Sequence, residues 1–167
     1  MKVKVHPTPV QVAAFVNLQQ ANRVIQAALE ERLRAAAGLS WPEFELLWRL
    51  QLADGHPLRM NEIAEQLLGS PSGTTRIVDR LEAERLIARE TPRENRRVVQ
   101  VKLTDRGRTR LAAARRAFLD GLDEAFAAHL SESDVISLRK LMRKLLEGNG
   151  AWAEGRCEPG LHDKAAG

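Results

Sequence analysis

The sequence contains few of the residues on which several protein classes depend. Among its 167 residues there is one cysteine and no tyrosine, and aromatic side chains make up 4%. A single cysteine excludes an intramolecular disulfide framework and favours a reducing, cytoplasmic setting. The longest apolar runs are a few residues, short of the ~20 that a membrane-spanning helix needs. The N-terminal segment holds lysines but no apolar stretch of signal-peptide length, so we expect no export and no membrane partner.

Hydrophobic and charged residues are both plentiful. They make up 44% and 29% of the chain, which is typical of about one globular domain. The net charge is +4, with 20 arginines against 6 lysines. One short stretch contains Arg76, Arg80, Arg85, Arg89, Arg93, Arg96 and Arg97. This cluster suits a polyanion such as nucleic acid, although charge alone is equally compatible with a solvated surface.

Hydrophobic periodicity predicts a mainly α-helical chain. Apolar residues at three- and four-residue spacing predict a long helix from about Val10 to Ala37, and Gly38 is expected to end it. Ser40 and Glu43, three residues apart, predict a capping box at the start of a second helix. Two long helices are expected near the C-terminus. The apolar residues expected on the inside of the last one are Val135, Leu138, Leu141, Met142 and Leu145.

The middle of the chain carries two short helices and a pair of strands. The first helix is expected to open near Met60, and the second to begin at Ser70 and Pro71 and run to about Arg85. Two strands with a polar hairpin between them follow over residues 86–103. This order indicates a winged helix-turn-helix, in which the second short helix is the recognition helix and the hairpin is the wing.

Candidate DNA contacts lie at the start of the recognition helix and in the wing. Small side chains and free amides at a helix start allow close approach to a phosphate. Thr75 is a candidate contact to a thymine methyl or a base edge, and Arg76 to guanine or a phosphate. Wing arginines suit an electronegative minor groove. The predicted DNA contacts are Ser70, Ser72, Gly73, Thr75, Arg76, Arg80, Arg93, Arg96 and Arg97.

A family resemblance is carried by the segments MNEIAEQLLGSPSGTTRIVDRLEAERLIAR and ENRRVVQVKLTDRGR. They resemble the MarR (multiple antibiotic resistance regulator) family, over about Trp41 to Arg116. The resemblance implies a homodimer, with the first and the last two helices as a dimerisation lobe, that binds a palindromic operator in double-stranded DNA. The wing departs from the family pattern, which usually has an acidic residue two positions before the key arginine. This chain has Asn95 before Arg97.

The expected fold is mainly α with a small β-hairpin wing, a winged helix-turn-helix plus a helical dimerisation lobe. The predicted parts are the N-terminal helix of the dimerisation lobe (1–40), the winged DNA-binding domain (41–104), the C-terminal dimerisation helices (105–148) and a flexible tail (149–167). The outer helices are amphipathic and too extensive for one small domain to bury, although packing on their own core is the alternative. Repression is favoured over activation because this sequence carries no separate activation segment.

A small-molecule effector is a further expectation. In the resembling family, effectors that are often phenolic or other aromatic acids bind between the dimerisation lobe and the winged domain. The corresponding candidates in this chain are Phe15, Asn22, Phe44, Trp48 and Arg115. The alternative, which we favour slightly, is that Phe44 and Trp48 belong to the hydrophobic core.

Other functional classes find less support in the sequence. Catalytic and nucleotide-binding motifs are absent, and the four histidines and one cysteine form no ligand-spaced set. We therefore expect no enzyme activity, cofactor or metal site. Some members of the resembling family sense peroxide through a cysteine in the first helix, whereas the cysteine of this chain, Cys157, lies in the tail. A ligand-independent or architectural DNA binder is the alternative function, and binding to palindromic against random DNA separates an architectural binder from a specific regulator.

Overall fold

The architecture is mainly α-helical with a small antiparallel sheet, which confirms the predicted fold class. The computed structural model describes residues 6–53, 56–67, 71–92 and 98–152. The helices in these ranges are α1 (Pro9–Ala37), α2 (Trp41–Leu52), α3 (Met60–Gln66), α4 (Pro71–Ala83), α5 (Asp105–Ala125) and α6 (Glu132–Gly148). The strands are β1 (Leu58–Arg59), β2 (Ile87–Glu90) and β3 (Gln100–Leu103).

Local capping sets the helix boundaries, as the sequence predicts. Gly38 ends α1 with φ of 65°, a left-handed conformation that glycine adopts without strain. Ser40 begins α2 with a capping box, in which its backbone N–H donates to the Glu43 carboxylate at 2.7 Å. The Thr104 hydroxyl accepts a backbone N–H of α5 at 3.0 Å. Ser70, the predicted cap of α4, lies outside the described residues.

The sheet has the strand order β1-β3-β2 with antiparallel pairing throughout. Ile87 pairs with Leu103, which joins the two predicted wing strands. Leu58 pairs with Val101, which adds β1 to the two predicted strands as the third strand of the sheet. Residues 93–97 of the predicted hairpin lie outside the described residues. The short β1 anchors the wing strands to the start of α3.

One hydrophobic core joins the winged helix-turn-helix to the adjoining parts of α1 and α5. Its fully buried side chains include Leu33, Phe44, Leu47, Ile63, Leu81, Leu86, Val101 and Leu111. Gly107 allows α5 to approach Leu86, the residue before β2, because a methyl group at this position would lie 2.0 Å from the Leu86 carbonyl oxygen. The core crosses the predicted domain boundaries at residues 40 and 104, and these boundaries stay predictions.

The helix α6 and the N-terminal part of α1 lie outside this core. No residue of α6 is buried. Its predicted inward-facing residues are either half-buried (Val135, Leu138 and Met142) or exposed (Leu141 and Leu145). The prediction that they face the inside is therefore wrong for the single chain, because the other described elements do not cover this helix. On α1, Phe15 and Val24 are likewise exposed.

Candidate nucleic-acid interface

The helix α4 divides into a buried and an exposed face. The buried side chains are Thr74, Val78 and Leu81. The exposed ones include Ser72, Thr75, Arg76, Asp79 and Arg80, while Gly73 is half-buried. The two predicted base-reading residues, Thr75 and Arg76, therefore lie on the solvent side of the first turns, and the opposite side of the helix rests on the core.

Arg80, predicted as a DNA contact, is paired within the protein. Its Nε lies 3.0 Å from Oε1 of Glu43 on α2 and 3.4 Å from Oε1 of Glu84. The Glu43 side chain is only 4% exposed, whereas that of Arg80 is 53% exposed. Arg80 thus lies at the border between the exposed face of α4 and its packing against α2.

A second group of ion pairs connects α4 to β2. Nη1 of Arg89 lies 2.7 Å from Oε2 of Glu82, and Nη2 binds the Asp79 carboxylate. Partial burial lowers the pKa of Arg89, but the hydrogen bonds and negative charges of Asp79 and Glu82 outweigh it and raise the pKa overall. Sequence reasoning missed this contact. The available signal was two acidic residues three positions apart on a helix, followed by an arginine in the next strand.

Four of the predicted DNA contacts fall outside the described residues. They are Ser70, Arg93, Arg96 and Arg97, and the atypical wing residue Asn95 falls outside as well. The described part of the wing contains an ion pair between Lys102 on β3 and Glu90 on β2. The interface that the structure describes is therefore the α4 face and its support, and the wing contacts stay predictions.

The candidate effector residues fall in two regions. The ring centroids of Phe44 and Trp48 lie 5.1 Å apart, and the Arg115 guanidinium carbon lies 5.9 Å from the Trp48 ring centroid. Phe44 is 1% exposed, which agrees with the alternative that it belongs to the core. Phe15 and Asn22 lie on the exposed N-terminal part of α1, outside this aromatic cluster.

An open cleft of about 430 Å³ lies between α2 and α5 beside the aromatic cluster. Its charged and polar lining residues are Gln51, Arg108, Arg115, Arg116 and Asp120. Three guanidinium groups face one carboxylate in this set, so the cleft is positively charged and suits an anion. One of the three, Arg108, also binds Asp105 at 3.0 Å.

The described ranges contain neither a metal-ligand cluster nor a membrane-spanning helix. In the residues that the structure describes, no three or more His, Cys, Asp or Glu side chains group so that they could hold a metal ion. Within those ranges, every helix is too short or too polar to cross a membrane.

Comparison with known proteins identifies the central region. Residues 39–99 match the model of the MarR family. This region is a MarR family domain. The HTH-type transcriptional repressor MdtR of Bacillus subtilis (strain 168) is 32% identical over 93 residues, which make up 54% of this chain and 57% of MdtR. The chain thus spans less than two thirds of the length of this curated relative.

Solved structures resemble the MarR domain together with its flanking helices. Sco3205, a MarR family transcriptional regulator from Streptomyces coelicolor solved in complex with DNA, is 25% identical with a TM-score of 0.80. The likeness covers 89% of this chain and 92% of Sco3205. The organohalide-sensing regulator RdhR-CbdbA1625, solved with 2,4-dichlorophenol, is 20% identical over 89% of each chain, with a TM-score of 0.75. The second likeness concerns the fold alone.

Proposed function

We propose that the protein is a homodimeric, sequence-specific DNA-binding transcriptional regulator that inserts α4 into the major groove. The observation that carries this proposal is the exposed start of α4, where Ser72, Thr75 and Arg76 face solvent while Val78 and Leu81 are buried behind them. A recognition helix needs such a polar face, braced from behind, to reach base edges. The MarR domain and the likeness to a DNA-bound regulator support the same function.

The exposed apolar side chains of α1 and α6 support the homodimer. Val10, Phe15 and Val24 on α1 are 77%, 59% and 69% exposed, and Leu141 and Leu145 on α6 are 57% and 50% exposed. Apolar surface on two helices of one chain favours a second copy as the covering partner. A two-fold pair would present two recognition helices to half-sites about one helical turn, ~10 bp, apart in a palindrome.

The proposal is tested by comparing Arg76→Ala with Arg116→Ala, which removes the same charge from an exposed position on α5. A binding sequence is first selected from a random DNA pool. Fluorescence anisotropy then measures affinity for that sequence and for a scrambled copy at several salt concentrations. Arg76→Ala is expected to lose about 1–3 kcal/mol per half-site, mostly on the selected sequence. Arg116→Ala is expected to lose little on either DNA.

Salt dependence tests the size of the DNA footprint in the same titrations. Two arginine-rich surfaces would neutralise about eight to ten phosphates, which gives a log–log salt slope of roughly −7 to −9. A slope near about −2 would contradict a footprint of two winged domains. Equal losses on both DNAs for Arg76→Ala would make Arg76 a phosphate contact and Thr75 the leading base reader. A pool that yields no preferred sequence would favour an architectural DNA binder.

A more specific form of the proposal is that the protein represses transcription and that a small aromatic ligand relieves this repression. The relative MdtR, a transcriptional repressor, supports the sign of regulation. The positively charged α2–α5 cleft beside Trp48 supports a ligand site. We expect benzoate, as an anionic probe, or 2,4-dichlorophenol, as a phenolic one, to change tryptophan fluorescence and release bound DNA. Unchanged fluorescence and DNA binding with both probes would favour ligand-independent regulation.

A further inference from the structure

A closed set of polar contacts surrounds the turn between α1 and α2. One Glu43 oxygen accepts a backbone N–H at the start of α2 at 2.7 Å, and the other lies 3.0 Å from Nε of Arg80. Nε of Arg80 also lies 3.4 Å from Glu84, whose second oxygen is 3.8 Å from Nη1 of Arg110. The same Nη1 donates to the Ala37 carbonyl oxygen at 2.7 Å, so the series of contacts leads back to the turn between α1 and α2. We term Glu43, Arg80, Glu84 and Arg110 the polar circuit.

Glu43 is the most buried member of the polar circuit. Its side chain is 4% exposed, compared with 53% for Arg80, 35% for Glu84 and 31% for Arg110. A buried carboxylate needs a partner for each oxygen, because an unpartnered buried charge is costly. The backbone N–H of the cap and Arg80 are those partners. Arg80 is therefore already held from the protein side when α4 approaches DNA.

The charges of the polar circuit cancel. Its two guanidinium groups face two carboxylates, so the four side chains together carry no net charge. Attraction to phosphates depends on positive charge that replaces counterions around DNA. A neutral circuit contributes little of this charge. Its contribution to DNA binding must then come from geometry.

The polar circuit joins the recognition helix to the two helices that lead to the exposed apolar region. Ala37 is the last residue of α1, and Arg110 belongs to α5. Buried apolar side chains such as Leu81 hold these helices together but set no direction, whereas charge-assisted hydrogen bonds are directional. We infer that the polar circuit fixes the angle of α4 against α1 and α5. Glu43 and Arg80 are then positioning residues for DNA binding.

The substitution Glu43→Gln tests this inference by the sign of its effect. The amide oxygen of glutamine can still accept the capping N–H, but the residue no longer carries the charge that holds Arg80. If Arg80 were a phosphate contact, removal of a competing negative charge would tighten DNA binding. The polar circuit predicts the opposite, a loss of about tenfold in affinity for the selected DNA with an unchanged salt slope.

The matched control is Glu31→Gln, which makes the same charge change at an exposed position on α1 and is expected to leave affinity unchanged. Glu84→Gln changes a less buried member of the polar circuit and is expected to weaken DNA binding by about twofold to fivefold. It provides a second test of the inference if Glu43→Gln does not fold. Helicity and thermal unfolding are measured for each variant. Equal or tighter binding by both Glu43→Gln and Glu84→Gln would overturn the inference.

A distance measurement tests the polar circuit without DNA. Spin labels at Ala83→Cys on α4 and Ala113→Cys on α5, in a Cys157→Ser background diluted with unlabelled protein, report the angle between the helices. The inference concerns DNA binding and so rests on the proposed function, whereas this distance can be measured whether or not the protein binds DNA. We expect a narrow distribution that Glu43→Gln broadens while helicity is retained, and an unchanged distribution would overturn it. Wild-type protein that binds no DNA would instead contradict the proposed function.

Discussion

The two ends of α1 show how differently one hydrophobic face can be used. Near its C-terminus, Leu29 and Leu33 are 3% and 0% exposed, because α2 and α5 pack against them. Nearer its N-terminus, Phe15 and Leu18 are 59% and 38% exposed, although they lie on the same face of the helix. The periodicity of apolar residues thus predicts a helix and its face but does not say which surface covers that face. Like the N-terminal end of α1, α6 has apolar side chains that the other described elements do not cover.

The largest effect is expected when Phe44 in the core is compared with Phe15 on α1. Phe44 is 1% exposed, so Phe44→Ala should leave a cavity and lower the free energy of unfolding by about 3–5 kcal/mol. Phe15→Ala removes the same atoms from a site outside the core of the single chain. Its intrinsic effect on protomer stability should stay within about 0.5 kcal/mol. Urea unfolding and sedimentation, each over a range of protein concentrations, measure both variants.

The two phenylalanines should differ in how their effects depend on protein concentration. If a second copy covers α1, Phe15→Ala weakens the dimer. Its effect on the unfolding midpoint should then disappear on dilution, where both proteins are monomeric, and reach a constant value at concentrations where both are dimeric. The loss caused by Phe44→Ala should persist at all concentrations, because the cavity lies within one chain. Equal and concentration-independent losses would contradict the contrast between the two ends of α1.

Glycines provide a second comparison between the core and α6. A methyl group at Gly107 would lie 2.0 Å from the Leu86 carbonyl oxygen, so Gly107→Ala should destabilise the protein by about 1–3 kcal/mol as α5 moves away from Leu86. At Gly148 a methyl group would meet no atom within 4 Å. Gly148→Ala should therefore stabilise α6, by up to about 1 kcal/mol, through the lower entropy of the unfolded chain. Thermal unfolding compares them, and a loss from Gly148→Ala would show that α6 is covered at this end.

Local signals allowed most of the fold to be predicted, whereas contacts between distant segments were not. Gly38 and Ser40 mark helix ends because their neighbours in sequence are also their partners in the structure. The pairing of Arg80 with Glu43 spans 37 positions and depends on how α4 packs on α2. A sequence predicts that Arg80 is exposed and charged, but only the packing shows which carboxylate lies beside it. For this reason the exposed face of α4 was predictable and its polar support was not.

The smallest effect concerns the start of α6, which local capping holds without burial. The Ser131 hydroxyl and backbone N–H both bind the Asp134 carboxylate, which lowers the pKa of Asp134 below its ordinary value of 3.8. Because the folded pKa is lowered, this contact stabilises the helix above the unfolded pKa and is lost as pH falls through the folded value. Ser131→Ala removes the side-chain hydrogen bond and keeps the backbone one. The pKa of Asp134 should then rise part of the way toward 3.8.

An NMR titration of the Asp134 carboxyl carbon measures this shift, with Ser137→Ala as the control because Ser137 is an exposed serine on the same helix. The control should leave the pKa of Asp134 unchanged. A rise in Ser131→Ala alone would establish that the beginning of α6 forms from residues adjacent in sequence, as the capping pattern predicts. An unchanged pKa in Ser131→Ala would mean that the start of α6 depends on a surface outside the single chain. The contrast between the buried part of α1 and the exposed α6 would then apply to the start of α6 as well as to its apolar face.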